Sequence, residues 1–355
     1  MSRTNTDLLK TALRALRATR TDSLVEPLTG GIGAIFMLHR VTPEPPKSFS
    51  PNRILQLTPD FLADVVDAVQ EWGYDVISLD EVPGRIAAGE DAPPFACFTF
   101  DDGYRDNRDY AYPIFKKRDL PIAVYVPADF ADGTGDLWWL VLEEAIRRSD
   151  VISCNIAGTA HRFNATTVAE KNLAFHKVYW AIRDIAEDDA RAVVAGLAQQ
   201  AGYDPKSLCR DLVMSWDELR AFATDPLITI GGHTVGHYAL AKLPLERAHE
   251  EIAGSIARIE LELKRPCRHF SYPYGSELAA GEREFELTRE LGIKTAVTTR
   301  KGLIRTRHSD RLAGLPRVSL NGDYQELGLV RTLLSGLPFA LFDACRQVSR
   351  LALRA

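Results

Sequence analysis

The sequence predicts an α/β protein with a parallel sheet, on three observations. Apolar runs at 34–38, 95–100, 122–126 and 227–230 are continuous instead of alternating, as expected of strands covered on both faces, and 295–298 is a further short strand. Segments with helical apolar spacing, at 58–73, 109–118, 246–263 and 285–291, separate them in the rhythm of βα units. The residues able to do chemistry gather where apolar runs stop, which is where parallel α/β proteins build their sites.

The 355 residues correspond to one large or two ordinary domains, at roughly 150 residues per domain. With 46% hydrophobic residues the chain can bury a sizeable core. Forty-three basic and 48 acidic residues leave a net charge of −5, which provides no general field for nucleic acid or an anionic membrane, so any basic surface has to be local. Cys97, Cys154, Cys209, Cys267 and Cys345 form no CxxC pair, which speaks against a disulfide framework or a cysteine zinc site and suits a reducing compartment. No secretory h-region opens the chain and no apolar run approaches about 18 residues, so a soluble cytoplasmic protein is expected.

In chain order, residues 7–20 carry Leu8, Leu9, Leu13 and Leu16 at helical spacing among Lys10, Arg14, Arg17 and Arg20. A packing helix is the first reading and a membrane-surface helix the second. Gly30, Gly31 and Gly33 precede the 34–38 strand, whereas a dinucleotide fingerprint follows its strand. His39 ends that strand before a Pro-rich loop reaching Pro51. Thr58 is a helix N-cap with Pro59 at the first helical position and Phe61, Leu62, Val65, Val66 and Val69 on the apolar face, and 74–79 is the next strand. The rhythm breaks over 136–212, with Trp138-Trp139, a hairpin at 150–163 and helices over 168–201; this reads as an insertion, a candidate lid, whose paired tryptophans anchor packing before they offer a sugar platform. Ser215 to Glu218 has the form of a capping box. The tail 326–355 is an amphipathic helical segment with Leu333, Leu334, Leu337, Phe339, Leu341 and Phe342 beside Arg331, Arg346, Arg350 and Arg354, expected to pack on the body, with an interfacial membrane role as the second reading.

The apolar run Phe95 to Phe100 ends in Asp101-Asp102-Gly103. Asp-Gly is ordinary turn chemistry. Two adjacent carboxylates beside a dry core nevertheless repel, and a cation or several donors must hold at least one of them ionised. His233 and His237 follow the 227–230 strand at i and i+4, which places both imidazoles on one face if the segment turns helically. Parallel strands end on one rim, so the two motifs can converge although 131 positions separate Asp102 from His233. One carboxylate and two imidazoles leave open positions on a divalent ion, the pattern of a catalytic site, and the second aspartate is then free to accept a proton from water. The chemistry expected is hydrolysis of an acyl bond.

The stretches Thr99-Phe100-Asp101-Asp102-Gly103-Tyr104, His233-Thr234-Val235-Gly236-His237 and Phe270-Ser271-Tyr272-Pro273-Tyr274-Gly275 resemble, in order, the first three motifs of the polysaccharide deacetylases, the metal-dependent carbohydrate de-N-acetylases of carbohydrate esterase family 4. The likeness runs over roughly 33–320, interrupted by 136–212. It implies a distorted (β/α) barrel of about seven strands and removal of an N-acetyl group from an amino sugar; with the amphipathic ends read above, the chain divides into a helix at 1–30, the barrel at 31–325 and a helical tail at 326–355. By that resemblance Asp101 is the general base, Asp102, His233 and His237 bind the metal, usually zinc, the backbone N–H of Tyr104 helps stabilise the oxyanion, and Thr234 supports the histidine loop. Tyr272, Pro273 and Tyr274 are then substrate-binding candidates. The family's third motif usually supplies an arginine that orients the catalytic aspartate, and Ser271 stands in its place; Arg317 is the candidate replacement, with Arg268 second. The family's late Leu-x-His is absent, leaving His39 as the candidate general acid ahead of His308 and His269. The implied partner is a carbohydrate, by cytoplasmic placement a lipid- or nucleotide-linked precursor met at the inner membrane face. A binding protein that has lost turnover, or a deformylase of a lipid-linked sugar, are the alternatives.

Overall fold

The computed structural model describes residues 3–352, with side chains described from 7 to 347. Seven parallel strands close into a barrel in chain order: Gly33–Leu38, Phe95–Phe100, Ile122–Val126, Ile228–Gly232, His269–Ser271, Thr295–Lys301 and Leu315–Ser319, the last pairing back onto the first through Phe36 and Val318. The first two strands pair along their whole length, Gly33 with Phe95 through Leu38 with Phe100. That register brings His39 and Asp101 out on the same rim, where Asp101 N–H still donates to Leu38 O at 2.9 Å.

Period-two alternation divides each stave between two cores. Ile35, Phe95, Cys97, Ala123, Tyr125 and Leu315 fill the barrel interior, whereas Phe36, Phe98, Phe100, Val318 and Val124 pack outward against the helices. Helix Pro59–Glu71 covers part of that outer face with Phe61, Leu62, Val65, Val66 and Val69, and its N-cap Thr58 accepts from Phe61 N–H as expected. Ser215 forms both halves of its capping box with Glu218.

Two elements differ from the sequence expectation. The strand expected over 74–79 shrinks to Asp75–Val76, which pairs only with Phe95 and Ala96 and is not a barrel stave. Ser78 N–H turns to the Glu81 carboxylate at 2.9 Å, starting a turn where the ladder would have continued. The helix expected over 109–118 opens as a wide π turn, Asn107–Ala111, before the short α-helix Tyr112–Lys116. Pro113 has no N–H to give the carbonyl four residues back, so the regular ladder cannot run through it.

Between the third and fourth staves lie helix Trp138–Arg148, the antiparallel hairpin Val151–Ile156 with Thr159–Asn164, and helices Val168–Arg183, Glu187–Gln200 and Ser207–Leu212. They share an apolar cluster built on Trp138, Trp139, Ile146, Phe175, Val178 and Leu197, which continues onto Tyr104 and Phe130 of the barrel rim. Trp138 and Trp139 are buried, so they anchor packing and are not sugar platforms. At the chain ends, Arg3–Ala18 and Thr21–Thr29 pack with Leu327–Leu334 and Leu337–Ala352. Leu13 is buried between them, Arg331 grips Glu26 through two 2.8 Å bonds and the buried Asp22 accepts from Thr332 Oγ1 at 2.9 Å. Leu8, Leu24, Leu28, Leu341 and Phe342 remain exposed. Among the described residues no single helix is long and apolar enough to cross a membrane. The Arg350 side chain and Arg354 lie outside the described residues.

His269 and His308 are structural. His269 opens its strand at the end opposite the rim, with Nδ1 on Thr295 Oγ1 at 2.8 Å, and His308 Nδ1 accepts from Arg305 N–H at 2.9 Å. Burial pushes both from 6.5 to about 4, so the fold holds them neutral. Their contribution to stability is complete above pH 6.5 and is lost as pH falls from there towards 4. In His308→Asn, where Oδ1 replaces the Nδ1 acceptor and no proton can bind, the loss of unfolding free energy over that window, measured by urea titration of metal-free protein, is expected to shrink by roughly 2 kcal/mol.

Candidate functional site

Phe95, Cys97 and Thr99 point into the barrel, and the same phase carries Asp101 inward one residue past the strand end. Arg317, in phase with Leu315 on the last stave, rises to meet it. Its Nη1 and Nη2 donate to Asp101 Oδ1 at 2.8 Å and Oδ2 at 2.7 Å, a bidentate pair. Nε donates to Thr298 O at 2.9 Å, Nη1 also to Thr99 Oγ1 and Nη2 also to Ser271 Oγ, both at 3.1 Å. All five donors of this fully buried guanidinium are therefore used. Burial alone would push the Asp101 carboxyl up, but the Arg317 charge and hydrogen bonds outweigh it and hold the group below the usual carboxylate range.

Asp102 leaves the strand phase. Its φ of +74° turns the chain, and its buried carboxylate faces the opposite way, towards the histidine loop. That loop is neither helix nor strand: Thr234 and His237 take left-handed φ of 63° and 61°, so the histidines converge through two tight bends and not through the helical turn expected from their spacing. Thr234 Oγ1 accepts the His237 N–H at 2.8 Å and closes the loop. His233 Nδ1 lies 2.6 Å from Ser271 O and so carries a proton, which aims Nε2 at Asp102 Oδ1, 3.5 Å away. His237 Nε2 is 3.3 Å from the same oxygen. Phe130, Trp139 and Tyr274 enclose the His237 ring at 5.6, 4.9 and 4.9 Å.

The three groups fit a divalent cation. Their ligand atoms lie within 4.8 Å of one another, and Asp102 Oδ1 is buried with no hydrogen-bond donor. One carboxylate oxygen and two imidazole nitrogens converging on a point, with the oxygen left without a donor, is a donor set that suits a cation between them. Burial pushes His237 down to about 4, while contacts with the two imidazoles offset burial at Asp102 and hold it below the carboxylate range. Neutral imidazole and ionised carboxylate are the forms a metal takes.

Of the other sequence candidates, His39 reaches the site with Nε2 4.0 Å from Asp101 Oδ2, its carbonyl held by Asn107 Nδ2 at 2.7 Å. The Tyr104 ring is buried 5.2 Å beneath Arg40, so only its backbone is available to the site. Arg268 lies near Asp80 at 3.7 Å and has no part in it. The substrate role expected for Tyr272 is overturned: its ring is wholly buried and its hydroxyl is spent on Ala313 O at 2.8 Å and Thr288 Oγ1 at 2.7 Å, because inward-outward alternation turns it away from the rim. Pro273 is also buried. Tyr274 stays at the mouth, beneath the Arg183 guanidinium at 3.8 Å, its hydroxyl accepting from Trp138 Nε1 at 2.6 Å. Gly275 makes this bend possible, since a Cβ there would lie 2.4 Å from Thr299 N at a φ of +48°. Sequence reasoning missed Arg183, Arg191 and Glu251, which reach the site from helices whose local pattern is ordinary amphipathic surface. Tyr272→Phe is expected to lower the unfolding free energy by about 1–2 kcal/mol while leaving kcat and KM within about twofold, separable by urea titration and steady-state kinetics.

The family model for polysaccharide deacetylase matches residues 88–296. No curated protein matches the chain. Among solved structures, the Streptococcus pyogenes deacetylase PplD in complex with acetate is similar at 16% identity and a TM-score of 0.55, over 84% of this chain and 97% of that one. IcaB from Ammonifex degensii gives 18% identity and 0.53, over 86% and 97%. A de-N-acetylase from Aggregatibacter actinomycetemcomitans gives 13% and 0.55, over 84% and 99%. At these identities the likeness to the solved structures is one of fold.

Proposed function

The chain belongs to the polysaccharide deacetylase family and is a deacetylase, and on that premise we propose that it hydrolyses the N-acetyl group of an amino sugar in a glycan or glycan precursor, with a divalent cation, zinc first, held by Asp102, His233 and His237. The observation that carries this reading is the divergent placement of two adjacent carboxylates, Asp101 locked to Arg317 and Asp102 facing two imidazoles. A cation bound there supplies charge that polarises a carbonyl oxygen and acidifies water.

The chain's own residues do the rest. Asp101, ionised and fixed by Arg317, accepts a proton as water adds to the acetyl carbon. The backbone N–H of Tyr104 donates to the oxyanion that develops on the former carbonyl oxygen. His39, beside Asp101 and about one-fifth exposed, delivers a proton to the departing nitrogen as the C–N bond breaks, giving acetate and a free amino sugar. Tyr274 and Arg183 at the mouth suit a sugar ring. Because Arg317 reaches Asp101 from another stave, Ser271 in the third motif gives no support to a protein that has lost turnover. Exposed Leu8, Leu24, Leu28, Leu341 and Phe342 on basic end helices support a lipid-linked substrate worked on at a membrane surface.

Acetate release from an N-acetylglucosamine oligomer is expected to require zinc, to stop with a chelator and to fall at least ~10³-fold in Asp101→Asn. Zinc-loaded protein that releases formate from an N-formylated sugar and no acetate would move the assignment to deformylation, and protein that takes up no zinc would sink the metal set. In Arg317→Lys the positive charge is less well matched to Asp101, so its pKa rises; the acid limb of kcat/KM is expected to move to higher pH and kcat to fall about 10–100-fold. An unchanged acid limb would remove Asp101 as the base.

A further inference from the structure

We propose that Arg191, on the insertion helix Glu187–Gln200, is a positioning residue for the loop 233–238, so that the insertion between the third and fourth staves shapes the ligand set. The role rests on the reading of Asp102, His233 and His237 as metal ligands. The loop needs outside support, because two of its residues hold left-handed φ, which side-chain-bearing residues adopt reluctantly, and its irregular backbone has no sheet or helix to satisfy it.

That support comes from three sides. At the short helix Ala128–Ala131, Ala128 N–H and Asp129 N–H donate to Thr234 O at 3.2 Å and Val235 O at 3.0 Å, which leaves the far end of the loop to two other elements. Helix Leu245–Leu263, packed on the barrel, takes the loop's donors: Glu251 Oε2 accepts from Gly236 N–H at 2.8 Å and Glu251 O from Val235 N–H at 3.1 Å. The insertion takes the two later acceptors: Arg191 Nη2 donates to Gly236 O at 2.8 Å and His237 O at 3.0 Å. Arg191 is itself held, with Nη1 3.4 Å from Asp136 and its guanidinium 4.0 Å over the Tyr238 ring, and its side chain is only 10% exposed. The neighbouring Asp188 accepts from Tyr238 Oη at 3.0 Å and from Arg247 at 2.5 and 2.9 Å, fastening the same helix to Leu245–Leu263.

The histidine on which this bears is His237. His233 is oriented by its own Nδ1 on Ser271 O, whereas His237 Nδ1 has no hydrogen-bond partner, so the His237 ring depends on its backbone and on the aromatic walls for its aim. Arg191 acts where that backbone would otherwise relax.

The test compares Arg191→Met, which keeps the aliphatic stem, and Arg191→Lys, which keeps the charge and one reach, with the wild type. Amide exchange over 233–238 in metal-free protein is expected to quicken at least ~10-fold in the Met variant, and zinc affinity, read by competition with a chromophoric chelator, to weaken about 10–100-fold, with the global unfolding midpoint unchanged and partial recovery in the Lys variant. Wild-type exchange over the loop in the Met variant overturns the role. If the Met variant does not fold, the Lys variant decides by the same exchange measurement, intermediate protection supporting the role and wild-type protection overturning it. A wild type that takes up no zinc would sink the metal reading alone, and loop exchange would still decide whether Arg191 holds the loop.

Discussion

The ion pair between Arg317 and Asp101 is the interaction on which the rest of this molecule depends. A guanidinium has no business in a barrel interior unless every donor is met, and here two carboxylate oxygens, one carbonyl and two hydroxyls meet all five. Removing either partner of such a pair strands the other charge in a dry site, at a cost of about 3–5 kcal/mol. The pair therefore closes the top of the apolar interior, fixes the last stave against the second, and holds an ionised aspartate at the rim. Stability and chemistry share one contact.

From that contact the site divides by direction. Side-chain alternation sends Asp101 into the barrel and the left-handed turn at Asp102 sends the next carboxylate out to the histidines, so neighbours in sequence occupy different electrostatic surroundings. The third motif shows the same economy of position. Ser271 accepts from Arg317 on its hydroxyl oxygen and from His233 on its carbonyl, touching both halves of the site without itself bearing charge.

The insertion and the end helices surround this centre in different ways. The insertion shares an apolar cluster with Tyr104 and Phe130 and sends Trp139 against His237, so its packing is continuous with the site. The end helices pack mainly on one another and on the body, through Leu13, Asp22 and the Arg331 to Glu26 pair, and leave leucines and Phe342 outward. The end helices are amphipathic as their sequence implies, but amphipathicity does not say which face another helix will cover.

By itself the sequence determined most of the staves, though not Leu315–Ser319, the caps at Thr58 and Ser215, the paired motifs at Asp101-Asp102 and His233-His237, and through them the family, because local periodicity and short motifs are written in adjacent residues. It also pointed to Arg317, ahead of Arg268, as a replacement for the missing arginine. What the tertiary structure alone decided is which way each side chain faces once the staves close. Tyr272 looked like a rim aromatic and is core, since a period-two strand sets its side by register with neighbours 41 positions on, at Ala313. The histidines converge through left-handed bends instead of a helical turn, and Arg191 and Glu251 reach them from distant helices. Such contacts are set by closure of the barrel over long sequence separations, and no local pattern encodes them.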